Sequence, residues 1–432
     1  MGPSMLPGAR IEVKRLDTVN MQTANLDADG FDRRDLARRL RMVSRIGQRR
    51  ALYLVAPLLI FLLVSFLIPI GLLLVRAVDN REISDVLPRT SAILRDWEGG
   101  DQIPSGAIEA LSQDLRTADS GAVADVARRL NFYDPGLRSK IMKAAREASE
   151  ESVDSVTALN SADSAWRSPE VWRTLKKASP KFTGYYFLRA LDFDLDGDRK
   201  IVRASEPIYT DALWRTLGIS SGVMIVCLLL AYPVAYLMAS VGDRTARYLM
   251  VFVLLPFWTS LLVRTTAWLV LLQNNGVVNS FLQWTGITTE PLQLAYNRFG
   301  VFVAMTHILL PFAVLPIHAV MKGIAPSYVR AASSLGAPPW RAFLHIYLPL
   351  SLPGVGAGAL LVFILALGYY ITPTLVGGPR DQMLSTFVAF FVNQSTNWSM
   401  AAALASILLF IVAALYVILA IIVGRRSKSE AA

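Results

Sequence analysis

Cysteine is almost missing from this chain. Cys227 is the only one, so no disulfide can form within it. Histidine is nearly as scarce: His307, His318 and His345 stand at helical positions without metal-ligand spacing, so core or interface histidines are expected and no metal. No G-x-x-x-x-G-K-[ST] run is present to cradle a nucleotide phosphate, and no Ser/His/Asp or Cys/His set stands in a recognisable context. No catalytic residue, and no enzyme activity on this chain, is expected.

What is abundant is apolar surface. Hydrophobic residues make up 53% of the chain and mean hydropathy is +0.42, which implies an all-α integral membrane protein. A helix needs about 20 apolar residues to cross a hydrocarbon core. Spans are expected at Leu52–Val75, Thr216–Ser240, Tyr248–Leu272, Phe299–Met321, Leu352–Leu375 and Met400–Val423. None of them contains Asp or Glu. No signal-peptide cleavage site adjoins the first, so residues 51–78 are expected to remain as an anchor. Arg49, Arg50, Arg244, Arg247, Lys322, Arg330, Arg341, Arg425, Arg426 and Lys428 fall on one side of this arrangement. The short loops Gln273–Arg298 and Val376–Ser399 carry about as many acids as bases, so both termini are expected in the cytoplasm. The net charge of +10 is then a topology signal and not a nucleic-acid footprint. Residues 1–50 read as a polar, basic cytoplasmic segment whose Arg33–Arg50 run would lie on anionic lipid heads or dock another protein. Residues 427–432 read as a cytoplasmic tail.

Between the first two spans lies a hydrophilic insertion, 79–212, long enough to fold by itself and expected outside the cytoplasm. Apolar spacing predicts helices over Ala107–Leu115, Ala122–Leu130 and Leu137–Ser149. Trp166, Trp172, Tyr185, Tyr186 and Phe187 would supply its core. Asp192, Asp194, Asp196 and Gly197 match the opening of a calcium loop, but Arg203 stands where the final Glu ligand belongs. A hairpin turning at Asp196-Gly197 is the expectation.

The region 322–350 interrupts the five-span core 213–426 with a distinctive pattern. Pro326-Ser327 opens a short helix with Ser327 as the expected N-cap. Gly336 suits a left-handed closure, and Pro338-Pro339 prevent continuation. A second turn carries Trp340, Phe343 and Ile346 into Leu348-Pro349. The result is a helical elbow. Small residues (Ala331, Ala332, Ser333) are expected on the face open to another protein, and bulky ones on the face anchoring it to the bundle.

The run from Tyr328 through Arg330, Ala331, Ala332 and Gly336 to Leu348-Pro349 resembles the EAA loop of ABC-importer permeases. Arg330 stands where that family has an acid. Leu254–Trp268, Asn274–Asn279, Pro291–Leu294, Tyr296–Gly300, Leu348–Gly354, Tyr369–Pro373 and Leu375–Gly378 are similar to permeases of spermidine/putrescine-type importers. The resemblance implies a six-helix type I importer permease moving a small-molecule solute, a polyamine such as spermidine or putrescine, by alternating access. It also implies a second homologous permease, a dimer of ATPase subunits that binds the ATP and Mg, and an extracytoplasmic solute-binding protein. No cofactor is expected on this chain, and no nucleic-acid partner.

Aromatic and neutral oxygen groups available for a solute path are Trp258, Thr259, Trp268, Tyr369, Tyr370 and Thr372; each reads equally as an interfacial belt or helix-contact residue. Arg264 is the one charge well inside a span. It either lines the path, favouring an anionic or zwitterionic solute, or pairs with helix-end carbonyls. The same machine for an amino-acid-like or opine-like solute is the alternative. A stand-alone secondary carrier would need an intramembrane carboxylate, which the spans lack.

Overall fold

The structure, a computed structural model, describes residues 53–149, 163–195, 201–204 and 206–429. The basic amino-terminal segment, the Asp196-Gly197 turn and residues 430–432 lie outside these. Two units are distinguished, residues 1–71 and 72–432. The described part of the first belongs to one helix, α1 (Tyr53–Arg76), which contains a π-helical turn at Leu63–Leu67.

The insertion follows α1. Its helices are α2 (Arg81–Val86), α3 (Pro88–Asp96), α4 (Ala107–Thr117), α5 (Ser120–Leu130), α6 (Leu137–Ser149), α7 (Pro169–Ala178) and α8 (Tyr185–Ala190). The three helices expected from apolar spacing are α4, α5 and α6. Side-chain oxygens satisfy the free N–H groups at several helix starts. Asp114 accepts from the Thr90 backbone N–H and hydroxyl, both at 2.8 Å, at the start of α3. Asp119 accepts from Gly121 at the start of α5. Leu94, Leu111, Leu130, Ile141, Trp166 and Trp172 form one buried core, and the Trp172 indole donates to the Trp166 carbonyl at 2.9 Å. Burying each such side chain contributes about 1.5–3 kcal/mol, and these residues give the insertion a hydrophobic centre.

Tyr185 and Tyr186 depart from expectation. They leave that core and pack with Phe391, Met400, Ala401 and Leu404 of the closing helices. Tyr133 stacks on Tyr185 at 4.2 Å between ring centres, joining the two layers. After α8 the chain makes a ribbon, β1 (Phe193–Leu195) antiparallel to β2 (Ile201–Arg203), with Asp194 opposite Val202. This is the expected hairpin. The insertion closes at its neck, where the Asn80 N–H donates to the Lys181 carbonyl and the Thr183 N–H to the Val78 carbonyl, both at 2.9 Å. The Asn80 amide also donates to the Ala178 and Pro180 carbonyls.

The remaining helices are α9 (Tyr209–Ser240), α10 (Asp243–Leu254), α11 (Leu261–Leu272), α12 (Val277–Trp284), α13 (Arg298–Gly323) and α14 (Pro326–Ser334). The long helix α15 (Pro339–Gly368) precedes α16 (Ile371–Val376), α17 (Leu384–Asn393) and α18 (Trp398–Ser429). Helices α9, α13 and α15 make the central packing, with Cys227, Ala231 and Ala235 on α9 buried against Val301, Met305, Leu309 and Ala313 on α13. These rows recur every four residues, the ridge spacing that lets helices interdigitate. Gly354 and Gly358 bring α15 onto α13. A Cβ at Gly354 would stand 2.9 Å from the Val320 Cβ, and one at Gly358 would stand 3.1 Å from the Ala313 carbonyl oxygen. Gly356 meets nothing within 4 Å.

Two expected spans are corrected. The third is not one helix: Asp243–Trp258 and Leu261–Trp284 meet at 94°. Pro256 lacks an N–H, Thr259 folds its hydroxyl onto the Pro256 carbonyl at 2.9 Å, and Ser260 restarts the helix by accepting from Val263. The fifth starts earlier and stops sooner, running Pro339–Gly368 and leaving Tyr369 and Tyr370 at a break. Among the described residues five helices are long and apolar enough to span a membrane, and up to six spans result if the bent pair counts as one. The segments expected as short loops also contain helices, α12 and α17.

Candidate functional site: a helical elbow and a buried polar cluster

The elbow is built as a closed corner. Helix α14 begins with Pro326 at its first position and Ala325 as the N-cap residue. This corrects the expectation for Ser327: the fixed φ of proline starts the helix without a side-chain cap. At the other end Gly336 adopts φ +85°. The Gly336 N–H donates to the Ser333 carbonyl and the Ala337 N–H to the Ala332 carbonyl, both at 3.0 Å. That pair of bonds is the Schellman closure, and it requires the left-handed conformation glycine adopts without strain.

Beyond Pro338 the chain turns into α15 and does not stop at the elbow's end. A π-helical turn, Phe343–Tyr347, carries Phe343 and Ile346, and Leu348-Pro349 follow within the same continuous helix. The wider turn lies just ahead of Pro349, whose missing N–H and ring do not fit an ordinary helical ladder. Phe343 packs edge-on against Tyr236 of α9 at 5.7 Å, and Tyr347 against Tyr236 at 5.2 Å. These contacts hold the elbow to its own bundle.

The expected division of faces is half right. Phe343 and Ile346 turn inward, but Leu335 is 90% exposed, Trp340 58% and Tyr328 55%. Ala332 is buried, whereas Ala331 and Ser333 are exposed. Small size at Ala332 serves packing within the chain, and the outward surface of the elbow mixes bulky apolar side chains (Tyr328, Leu335, Trp340) with Arg330, Ala331, Ser333 and Arg341. Arg341 covers the Trp340 ring at 5.1 Å. Arg330 is exposed and forms no ion pair among the described residues.

The path candidates divide into two groups. Arg264 and Trp268 lie one turn apart on α11. Between them Thr265, fully buried, shares a 3.1 Å hydrogen bond with Thr372 of α16. The Trp268 indole N–H donates to His307 Nδ1 on α13 at 3.0 Å. Trp268, His307 and Thr306 then line a groove of about 630 Å³ with Arg298 and with apolar walls that include Val226, Leu230 and Phe302. The Tyr369 carbonyl accepts from the Ser385 hydroxyl at 2.6 Å. Arg264 itself keeps Nε and Nη1 buried and without a hydrogen-bond partner. Trp268 and Thr372 are thus tied to neighbouring helices by hydrogen bonds, and Arg264 stands beside the Thr265 that bonds Thr372. Trp258, 77% exposed, and Thr259 sit at the bend between α10 and α11, outside that set. Tyr370 is 40% exposed.

Sequence reading missed Thr265 and the role of His307. His307 is 39 positions from Trp268, and no local spacing announces such a pair. His318 is buried on α13, and His345 stands one turn from the Arg341 carbonyl on the elbow. Among the described residues no three His, Cys, Asp or Glu side chains gather as a metal site.

Known proteins carry the same core. Residues 231–428 match the family described as binding-protein-dependent transport system inner membrane component; the insertion lies outside that match. The spermidine/putrescine transport system permease protein PotB of Haemophilus influenzae is 32% identical over 197 residues, covering 46% of this chain and 69% of that protein. PotB of Escherichia coli K12 is 30% identical over 211 residues, covering 49% and 76%. The inner membrane ABC transporter permease protein YdcU of Escherichia coli K12 is 34% identical over 221 residues, covering 48% and 70%. Among solved structures, a bacterial ABC transporter involved in the import of the acidic polysaccharide alginate is similar at 22% identity and a TM-score of 0.40, over 50% of this chain and 79% of that one. With an apolar helical core and relatives of this identity and coverage, the chain belongs to the binding-protein-dependent transport system inner membrane component family, as a multi-pass inner-membrane permease subunit of the PotB type in an ABC importer.

Proposed function

We propose that this permease imports polyamines of the spermidine/putrescine class, driven by a separate pair of ATPase subunits that dock on the elbow. One observation carries the coupling: the exposed apolar surface around Leu335 leads through Trp340 into a single helix that crosses the bundle. Burial of such a surface against a partner is favourable, and its displacement is passed directly to a spanning helix. The polyamine reading rests on the PotB relatives. In this reading the second permease is a homologous chain, a solute-binding protein delivers the solute to the side of the insertion, and both termini face the cytoplasm. ATP and Mg bind the ATPase pair, and the solute passes by alternating access.

A second reading is favoured by Arg264, which keeps two buried donors unpartnered. A solute carrying a carboxylate, as an amino-acid-like compound does, would satisfy them; a bare polyamine has no such acceptor.

Uptake of labelled putrescine, spermidine and an amino-acid panel, in cells lacking the gene and complemented with wild type, Leu335→Asp or Arg264→Gln, tests both readings. Under the first reading, wild type restores polyamine uptake, while Leu335→Asp is equally abundant and inactive. Uptake restored by Leu335→Asp would remove the docking surface. Gene-dependent uptake of an amino acid alone would replace the polyamine by the second class.

A further inference from the structure

The insertion holds a second polar site, built from residues other than those of the core cluster. Ser91 and Arg95 on α3 face Lys176 at the end of α7 and the Ser179–Lys181 segment across a cavity of about 260 Å³. Its charged lining is Arg95, Lys176 and Lys181, with no acidic side chain. Among the described residues none of the three forms an ion pair; Lys176 rests over the Trp97 ring at 5.9 Å. Ser91, one of the lining residues, is 6% exposed, and its buried hydroxyl has no hydrogen-bond partner. Buried hydroxyls are ordinarily satisfied. Three cations and an idle hydroxyl donor around a cavity large enough for several waters make a receptor for a multivalent oxygen anion.

The place of the site narrows the ligand. Lys181 is hydrogen-bonded through its carbonyl to Asn80, only four residues past Arg76, the end of the first apolar helix. Four residues reach at most about 14 Å, so where that helix spans a bilayer the Lys181 edge of the cavity stands within this reach of the helix end, where phospholipid headgroups begin. Phe182, next to Lys181, is exposed at the same neck.

We propose that Ser91, Arg95, Lys176 and Lys181 form a phosphate-binding site on the insertion, supplied either by an anionic phospholipid headgroup or by a free phosphate. The lysines and the arginine provide the charge, and Ser91 donates a directional hydrogen bond. The exposed positions of Arg95 and Lys181 allow their replacement without disturbing the core.

Isothermal titration of the detergent-solubilised full chain with inorganic phosphate and, separately, with dihexanoyl phosphatidylglycerol tests the site. Saturable binding is expected, weakened about tenfold in Arg95→Gln/Lys181→Gln, which removes two charge-assisted contacts. Ser91→Ala should raise the melting temperature in phosphate-free buffer, because an unsatisfied donor is gone, and weaken binding about threefold. Tighter binding of phosphatidylglycerol than of phosphate identifies the headgroup as the source, and equal affinities identify free phosphate. Absence of binding by both probes, or wild-type affinity in the double variant, would overturn the proposal.

Discussion

One carboxylate oxygen of Asp192 accepts both the backbone N–H of Thr210, at 2.7 Å, and the Thr210 hydroxyl, at 2.6 Å. The other oxygen accepts the Tyr209 N–H at 3.1 Å. Asp192 thus caps the start of α9 from outside the helix, and it does so from a left-handed backbone position with φ +58°. The first acid of the apparent calcium motif is occupied in holding a spanning helix to the β ribbon.

Replacing Asp192 by Ala removes that cap and is expected to destabilise the protein by about 1–2 kcal/mol. The melting temperature of the solubilised chain should fall accordingly. Added calcium should leave wild type unchanged; a calcium-dependent rise would restore the metal reading of the motif.

Arg129 ties the insertion to the last span. Its guanidinium donates to Glu82 at 2.7 Å, to the Asp79 carbonyl at 2.5 Å and to the Ser399 hydroxyl at 3.0 Å. Burial opposes its charge, but Tyr186 and Glu82 outweigh that, and its pKa lies above the ordinary arginine value. Arg129→Met should destabilise by about 2–3 kcal/mol and open the insertion to limited proteolysis. Ser399→Ala, which leaves the Glu82 bond, should have a smaller effect on the same cleavage rate.

The neck carries an acid-labile element. The Arg81 guanidinium beside Asp79 holds its carboxyl at about 2, against an ordinary 3.8. An acid depressed by folding contributes stability above its ordinary value and loses it as pH falls through the folded one. Melting temperature should therefore decline between pH 3.8 and about 2, and Asp79→Asn should flatten that part of the profile. An identical decline in the variant would show that other acids control it.

Gly354→Ala is expected to force α15 off α13 and to destabilise by about 1–3 kcal/mol, because its Cβ would meet Val320 and the Pro316 carbonyl at 2.9 and 3.0 Å. Gly356→Ala, with nothing within 4 Å, should leave melting unchanged. Equal behaviour of the two variants would contradict the packing described.

The elbow was legible because proline, glycine and chain polarity act locally: Pro326, Gly336 and Pro338 each determine the conformation of their own position. The insertion's α4, α5 and α6 were legible because one apolar face repeats at helical spacing. What hydropathy could not reveal was the break at Trp258–Leu261, since a window average does not register a missing N–H. Nor could it place Leu335 and Trp340 outward or Tyr185 on the closing helices, because large apolar and aromatic residues suit a core and an interface alike. The Thr265–Thr372 and Trp268–His307 bonds join distant stretches, and only tertiary packing brings them together.

The run of α15 from Pro339 to Gly368 spans 30 residues, which at 1.5 Å per residue is a rod of about 45 Å. A lever of that length amplifies small rotations: a tilt of about 10° at one end sweeps the other through about 8 Å. It is interrupted by the π turn beside Phe343 and Tyr347 and by Pro353 within the helix, and whatever stiffness these joints retain sets how faithfully force applied near Trp340 arrives at Tyr369.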